Sequence, residues 1–199
     1  MDPQDKFFFA ASNDNLLYLK EVADEAGFTH ALRDKDGRTP LIRAAARNAT
    51  TVMEYLIQQG ADVNACDPEH KYTGLMEAAC YNHADAAQML LDAEADINMV
   101  NKNGRTALME AVIAQATDTL QVLATHPDTD FSIADPEGRN IDAWIDNVGT
   151  SDMAQIIAHG RAQQEMNKHL KRKELSSTEI QASKNKQHNL RRYIKTPKR

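Results

Sequence analysis

The chain has 199 residues, a mass of 22.2 kDa and 42% apolar residues, enough for one sizeable domain plus a tail and too little for two large domains. No stretch approaches the roughly 20 uninterrupted apolar residues of a membrane span, and two cysteines, Cys66 and Cys80, are too few for a disulfide framework, so reduced thiols are expected. The net charge of −6 hides a division: residues 1–160 hold 11 Lys and Arg against 26 Asp and Glu, whereas residues 161–199 hold 12 against 3.

The opening "MDPQDKFFFAAS" has neither the basic start nor the long apolar run of a secretory signal, so cytoplasmic residence is expected. Residues 1–33 continue as "FFFAASNDNLLYLKEV", whose Ala10 and Ala11 stand 34 residues before Ala44 and Ala45. This reads as a degenerate first copy of a longer repeat. The copies are aligned by Thr39, Thr73 and Thr106, spaced 34 and 33 residues apart, with Asn140 another 34 further on. A period of this size, sustained over most of a chain, signals stacked helical units that bury a shared core.

In residues 34–66 the words "DGRTPLIRAAARNATTVMEYLIQQGADVNA" predict a pair of helices. Thr39 is placed to cap the first with its hydroxyl, and Pro40 fits the first helical position, where no N–H bond is lost. Leu41 points into the stack, and the small Ala44 and Ala45 admit a neighbouring helix. Val52, Met53, Leu56 and Ile57 give the second helix one apolar face. Gly60 ends it, because the left-handed conformation required there costs glycine little. Residues 67–100 repeat the pattern as "TGLMEAACYNHADAAQMLLDAEADIN", with Glu94 in the slot of Gly60. Residues 101–134 repeat it as "GRTALMEAVIAQATDTLQVLA", where His126 before Pro127 is expected to stop the helix. Residues 135–160 form a degenerate closing copy.

The period and wording resemble the ankyrin repeat family over about four-fifths of the chain. The resemblance implies an all-α solenoid of stacked helix–turn–helix units, about four to five of them, with hairpin-like fingers projecting from the connections. It also implies a non-catalytic adaptor or scaffold that binds a protein partner through its finger tips and concave helix face. Mapped onto the copies, that face comprises Lys35, Asp36, Arg38, Ala46 and Arg47, then His70, Lys71, Tyr72, Cys80 and Tyr81. Lys102, Asn103, Arg105 and Ile113 follow, then Pro136, Glu137 and Arg139. The connection "DPEHKY" before Thr73 is one residue longer than its peers and lacks their Asp-Gly or Asn-Gly turn. His70, Lys71 and Tyr72 at its tip read as a partner contact or as a tolerated insertion, and Tyr72 and Tyr81 either anchor a partner or pack within the domain. Asn64 and Asn98 read as turn-stabilising residues, although their spacing also resembles that of asparagines hydroxylated in animal ankyrin repeats.

Seven scattered histidines show no zinc-like spacing, and no GxxxxGK[ST], GxSxG or HExxH is present, so neither catalysis, cofactor nor metal is expected. A monomer without membrane contact is expected. Residues 161–199 form a basic tail. A first helix is expected to run through Met166 and Leu170, with a break and a new cap at Ser176, Ser177 and Thr178. Lys171, Arg172, Lys173, Arg191 and Arg192 offer a second reading, in which the tail binds nucleic acid or an acidic partner while the repeats recruit another protein. The same composition also suits a tail folded back on the acidic body, or a disordered solubilising tail.

Overall fold

The structure is a computed structural model that describes the backbone of residues 1–194 and the side chains of residues 1–173. Among the described residues there are ten helices and no strand, only an isolated antiparallel bridge between Cys66 and Thr73. The helices are α1 (Pro3–Ser12), α2 (Leu16–Ala26), α3 (Pro40–Ala45), α4 (Thr50–Gln58), α5 (Gly74–Cys80), α6 (Ala84–Asp92), α7 (Ala107–Ile113), α8 (Thr117–Thr125), α9 (Ile141–Val148) and α10 (Ser151–Ile194). They form five consecutive pairs. Met1–Gly160 is one compact unit and Arg161–Arg199 a second.

In the first unit α1, α3, α5, α7 and α9 pack side by side as one layer, and α2, α4, α6 and α8 as another. The core lies between the layers and is continuous from Phe7 to Ile157. Its inner positions are small: Ala10, Ala11, Ala44, Ala45, Ala78, Ala79 and Ala111 are fully buried. Absent Cβ branches let the first helices approach closely, while Leu41, Leu75, Leu56, Leu90 and Leu120 fill the space between layers. No pair could bury these faces alone, so neighbours supply the cover.

Helix ends are set in two different ways. The first helices carry their own caps: the hydroxyls of Thr39, Thr73 and Thr106 accept from the N–H groups of Ile42, Met76 and Met109, and the Asn140 side chain accepts from Ala143. The second helices α4, α6 and α8 have no side-chain cap of their own. Their caps come from the preceding unit. Asp14, Asn48 and Asn82, at φ of 52°, 54° and 56°, close the first helix of one unit in the left-handed conformation. Their side-chain oxygens accept from Val52, Ala86 and Thr119 in the next unit, at 2.8, 3.1 and 3.1 Å. Glycine would meet the backbone demand at lower cost; only Asp or Asn also offers the oxygen. Gln115 takes the same position at φ 57° but reaches the Val148 carbonyl instead, and there Thr150 caps α10 from within its own unit.

The C-terminal ends of α4 and α6 bear on the expectations at Gly60 and Glu94. Gly60 stands at φ 83° after α4, and Glu94 adopts φ 63° after α6. Paired bonds from Gly60 to Ile57 and Ala61 to Leu56 recur as Glu94 to Leu91 and Ala95 to Leu90. The same closing motif thus forms without glycine, at a conformational cost. His126 is extended at ψ 135° and stops α8. The expected break at Ser176–Thr178 is absent, and α10 runs on to Ile194. Serine and threonine lower helix propensity by only a few tenths of a kcal/mol, and no Gly or Pro occurs between residues 161 and 196.

Candidate partner-binding surface

Four fingers precede the first helices, each organised around one acceptor at its base: Asp34, Asp67, Asn101 and Asp135. In three of them the base oxygen takes the N–H groups two and four residues on, as from Asp34 to Asp36 and Arg38, from Asn101 to Asn103 and Arg105, and from Asp135 to Glu137 and Arg139. The second finger absorbs its extra residue by using both carboxylate oxygens. Oδ1 of Asp67 accepts from Glu69 and His70, and Oδ2 from Tyr72 at 2.7 Å. Lys71 takes the left-handed conformation, φ 58°, that glycine takes in the other fingers. Burial alone would raise the Asp67 carboxyl, but backbone bonds from His70, Tyr72 and Glu69 hold it below the usual carboxylate value.

Adjacent fingers touch. The Lys102 N–H donates to the His70 carbonyl at 2.9 Å. A Cβ at Gly104, which stands at φ 70°, would lie 2.6 Å from Pro136 of the next finger. Glycine is needed there for the backbone and for the approach.

Beneath the fingers runs a row of side chains that joins one unit to the next. The residue before each cap reaches the fourth residue after the following cap. Arg38 pairs with Glu77 at 3.4 Å, the Tyr72 phenol lies near the Glu110 carboxylate, and the Arg105 guanidinium lies over the Trp144 ring at 4.7 Å. Arg139 covers Trp144 at 4.3 Å and also pairs with Asp135 and Glu137 at 2.8 and 2.9 Å. Arg43 pairs with Asp34 and Asp36. Glu110 further receives the Asn101 amide at 2.7 Å and lies 3.9 Å from Arg105. Burial raises the Glu77 carboxyl, opposed by Arg38 and Arg43. Burial and the Glu110 charge raise the Tyr72 phenol. Burial, then Glu110 and Glu77, push the Cys80 thiol to about 12. That thiol stays protonated and is a poor nucleophile.

The expected surface residues therefore divide. Lys35, Arg47, His70, Lys71, Tyr81, Lys102 and Asn103 are exposed, as are Pro136, Glu137 and Asp36, the last two paired with Arg139 and Arg43. Arg38, Tyr72, Cys80, Arg105, Ile113 and Arg139 are half-buried and Ala46 is buried. Tyr72 lies under its finger rather than at the tip. Tyr81 is 59% exposed and stacks on His83 at 6.1 Å between ring centroids. Asn64 and Asn98 bridge units through Asp96 and Asp130 N–H groups at 2.8 and 2.9 Å. Lys171, Arg172 and Lys173 are exposed on α10; Arg191 and Arg192 lie on the same helix, their side chains outside the described residues. Sequence reading missed the row Phe9, Arg43, Glu77, Glu110 and Trp144, although the 34-residue period carries it. Among the described residues no group of three His, Cys, Asp or Glu could hold a metal ion, and no helix is long and apolar enough to cross a membrane.

Five consecutive helix pairs, the first four joined by shared caps, with fingers aligned along one edge, define a repeat solenoid of the kind that presents a surface rather than encloses a reaction. The chain belongs to the ankyrin repeat family: family models described as "Ankyrin repeats (3 copies)" and "Ankyrin repeat" match residues 65–135 and 36–68. It is 33% identical over 112 residues to "Ankyrin repeat and SAM domain-containing protein 6" of Rattus norvegicus, covering 56% of this chain and 13% of that protein. It is 35% identical over 120 residues to an ankyrin repeat-containing protein of Treponema pallidum (strain Nichols), covering 60% and 40%. To "Neurogenic locus Notch protein" of Drosophila melanogaster it is 36% identical over 111 residues, covering 48% and 4%. The chain thus spans less than half the length of each of these relatives. Ankyrin repeats are generally protein–protein interaction modules without catalytic activity of their own.

Proposed function

We propose that this protein is a non-catalytic adaptor or scaffold that binds a protein partner through its finger tips and the exposed side of its first helices. One observation carries the reading: the arginines of this face that hold the stack together are already paired, yet Lys35, Arg47, His70, Lys71, Tyr81 and Lys102 remain exposed along it. Exposed cations and an aromatic on a rigid frame give a partner anchors that need little reorganisation on binding.

The test is capture of a partner from nuclease-treated native lysate by the full chain, compared with a His70→Ala, Lys71→Asn, Tyr81→Ala variant. Tyr72 is left intact because it is half-buried beside Glu110 and its loss would disturb the packing between units. The variant should lose the specific partner while its melting temperature stays within a few degrees of the parent. Undiminished capture would remove the finger and first-helix face from the reading. Loss of capture only when Lys171, Arg172 and Lys173 are replaced would instead favour the basic tail.

A further inference from the structure

The third finger departs from the others in chemistry. The first, second and fourth each carry two carboxylates: Asp34 and Asp36, Asp67 and Glu69, Asp135 and Glu137. The third, from Asn101 to Arg105, carries none; asparagine stands at its base and at its tip, beside Lys102 and Arg105. The third and fourth fingers nevertheless share one geometry, since Oδ1 of Asn101 and of Asp135 each accepts the N–H groups two and four residues on. Arg105 and Arg139, which end these two fingers, hold equivalent positions, and both guanidiniums lie over Trp144.

Their hydrogen-bond partners differ. Nε of Arg139 donates to Asp135 Oδ2 at 2.8 Å, and Nη2 to Glu137 at 2.9 Å. In the third finger the atom in the place of Oδ2 is the Asn101 amide nitrogen, itself a donor, which turns to Glu110 at 2.7 Å. Among the described residues the Arg105 side chain therefore donates no hydrogen bond. Its Nε is enclosed without a partner. Its one ion contact, to Glu110 at 3.9 Å, falls on the oxygen that already accepts from Asn101 and is too long for a hydrogen bond. The side chain is 25% exposed, and its terminal nitrogens are not among the enclosed atoms.

We propose that the Arg105 guanidinium anchors an Asp or Glu side chain of a protein partner, which supplies from outside the acceptor that Asp135 and Glu137 supply to Arg139 from within. The proposal rests on the reading of this face as protein-binding and names one contact in it. Arginine takes a carboxylate through two parallel bonds, and stacking on Trp144 holds the planar fork in place, so little freedom is lost on binding. Lys102, exposed on the same finger, adds attraction at the encounter. A phosphate is the poorer occupant, because its greater charge is repelled more strongly by Glu110. Nucleic acid also finds no stacking surface here, since Trp144 is 5% exposed.

Trp144 is the chain's only tryptophan, so its fluorescence reports on the guanidinium above it. The experiment titrates the full chain at constant ionic strength with acetyl-Gly-Glu-Gly-amide, with the matching glutamine peptide, and with inorganic phosphate. Asn103→Glu builds in the counterpart of Glu137 without touching Arg105, and Arg105→Lys keeps the charge but removes the fork. The expected result is a saturable change with the glutamate peptide and binding at least tenfold weaker for the glutamine peptide. Both variants should bind the glutamate peptide at least fivefold more weakly, with the melting temperature of Asn103→Glu within a few degrees of the parent. Equal response to the two peptides, an Asn103→Glu variant that titrates like the parent, or saturation by phosphate at lower concentration would overturn the proposal. If the lysate partner is lost on replacing His70, Lys71 and Tyr81 while Asn103→Glu keeps both partner and peptide, this inference fails and the interaction reading stands. If both variants capture the partner undiminished, the interaction face is wrong and this inference falls with it.

Discussion

The two layers of helices solve one problem in opposite ways. Each first helix from α3 onward begins at a threonine or asparagine within its own unit, whereas α4, α6 and α8 begin under an oxygen lent by the unit before. A local cap defines where a helix starts; a borrowed cap also defines which unit lies beside it. Coupling between units is therefore built into backbone hydrogen bonds as well as apolar contact, the nearest-neighbour term on which solenoid cooperativity depends.

The comparison breaks most completely at Leu75, which is 2% exposed and supports both layers. Leu75→Asp should abolish cooperative unfolding, because an unpaired buried carboxylate costs several kcal/mol; circular dichroism of a fully folded variant would contradict the stack. Next comes the borrowed cap. Asn82→Ala strands the N–H groups of Asp118 and Thr119 and puts alanine at φ 56°, so we expect a loss of about 2 kcal/mol in denaturant titration. Asn82→Gly keeps the backbone but loses the cap and the amide's bond to the Asp118 carboxylate, and should fall between alanine and the parent.

The inserted finger gives a smaller and pH-dependent effect. Asp67→Asn should lose about 1 kcal/mol at neutral pH, since an amide nitrogen replaces one of the two accepting oxygens. The Asp67 pKa is depressed in the fold. Its contribution is therefore present above the unfolded value near 3.8 and is lost as pH falls through the lower folded value. Stability measured between about pH 5 and pH 2 should fall more steeply for the parent than for the variant. Thr73→Ala removes a local cap and should cost about 1 kcal/mol, without the inter-unit coupling that a double-mutant cycle should find between Asn82 and Asp118, whose carboxylate accepts from the Asn82 amide at 2.8 Å. The smallest change has the opposite sign: Glu94→Gly relieves φ 63° and should stabilise by roughly 0.5–1 kcal/mol, read as a small rise in melting temperature.

Much of this was legible in the residues alone. Thr39, Thr73, Thr106 and Asn140 announced their helices because a cap and the helix it starts are neighbours in sequence, and Ala44 and Leu41 announced the core because the helical period is local. Gly60 and His126–Pro127 marked ends for the same reason. Tertiary structure decided the rest. Asn48 and Asn82 look like ordinary turn residues until the next unit brings an N–H to their oxygens, 38 and 37 residues away. Tyr72 looks like an exposed tip until the stack leaves it half-buried beside Glu110 of the following unit. Side chains whose partners lie one repeat away cannot be assigned from their own segment, because stacking alone fixes which groups are matched and which, like the finger-tip lysines, are left outside.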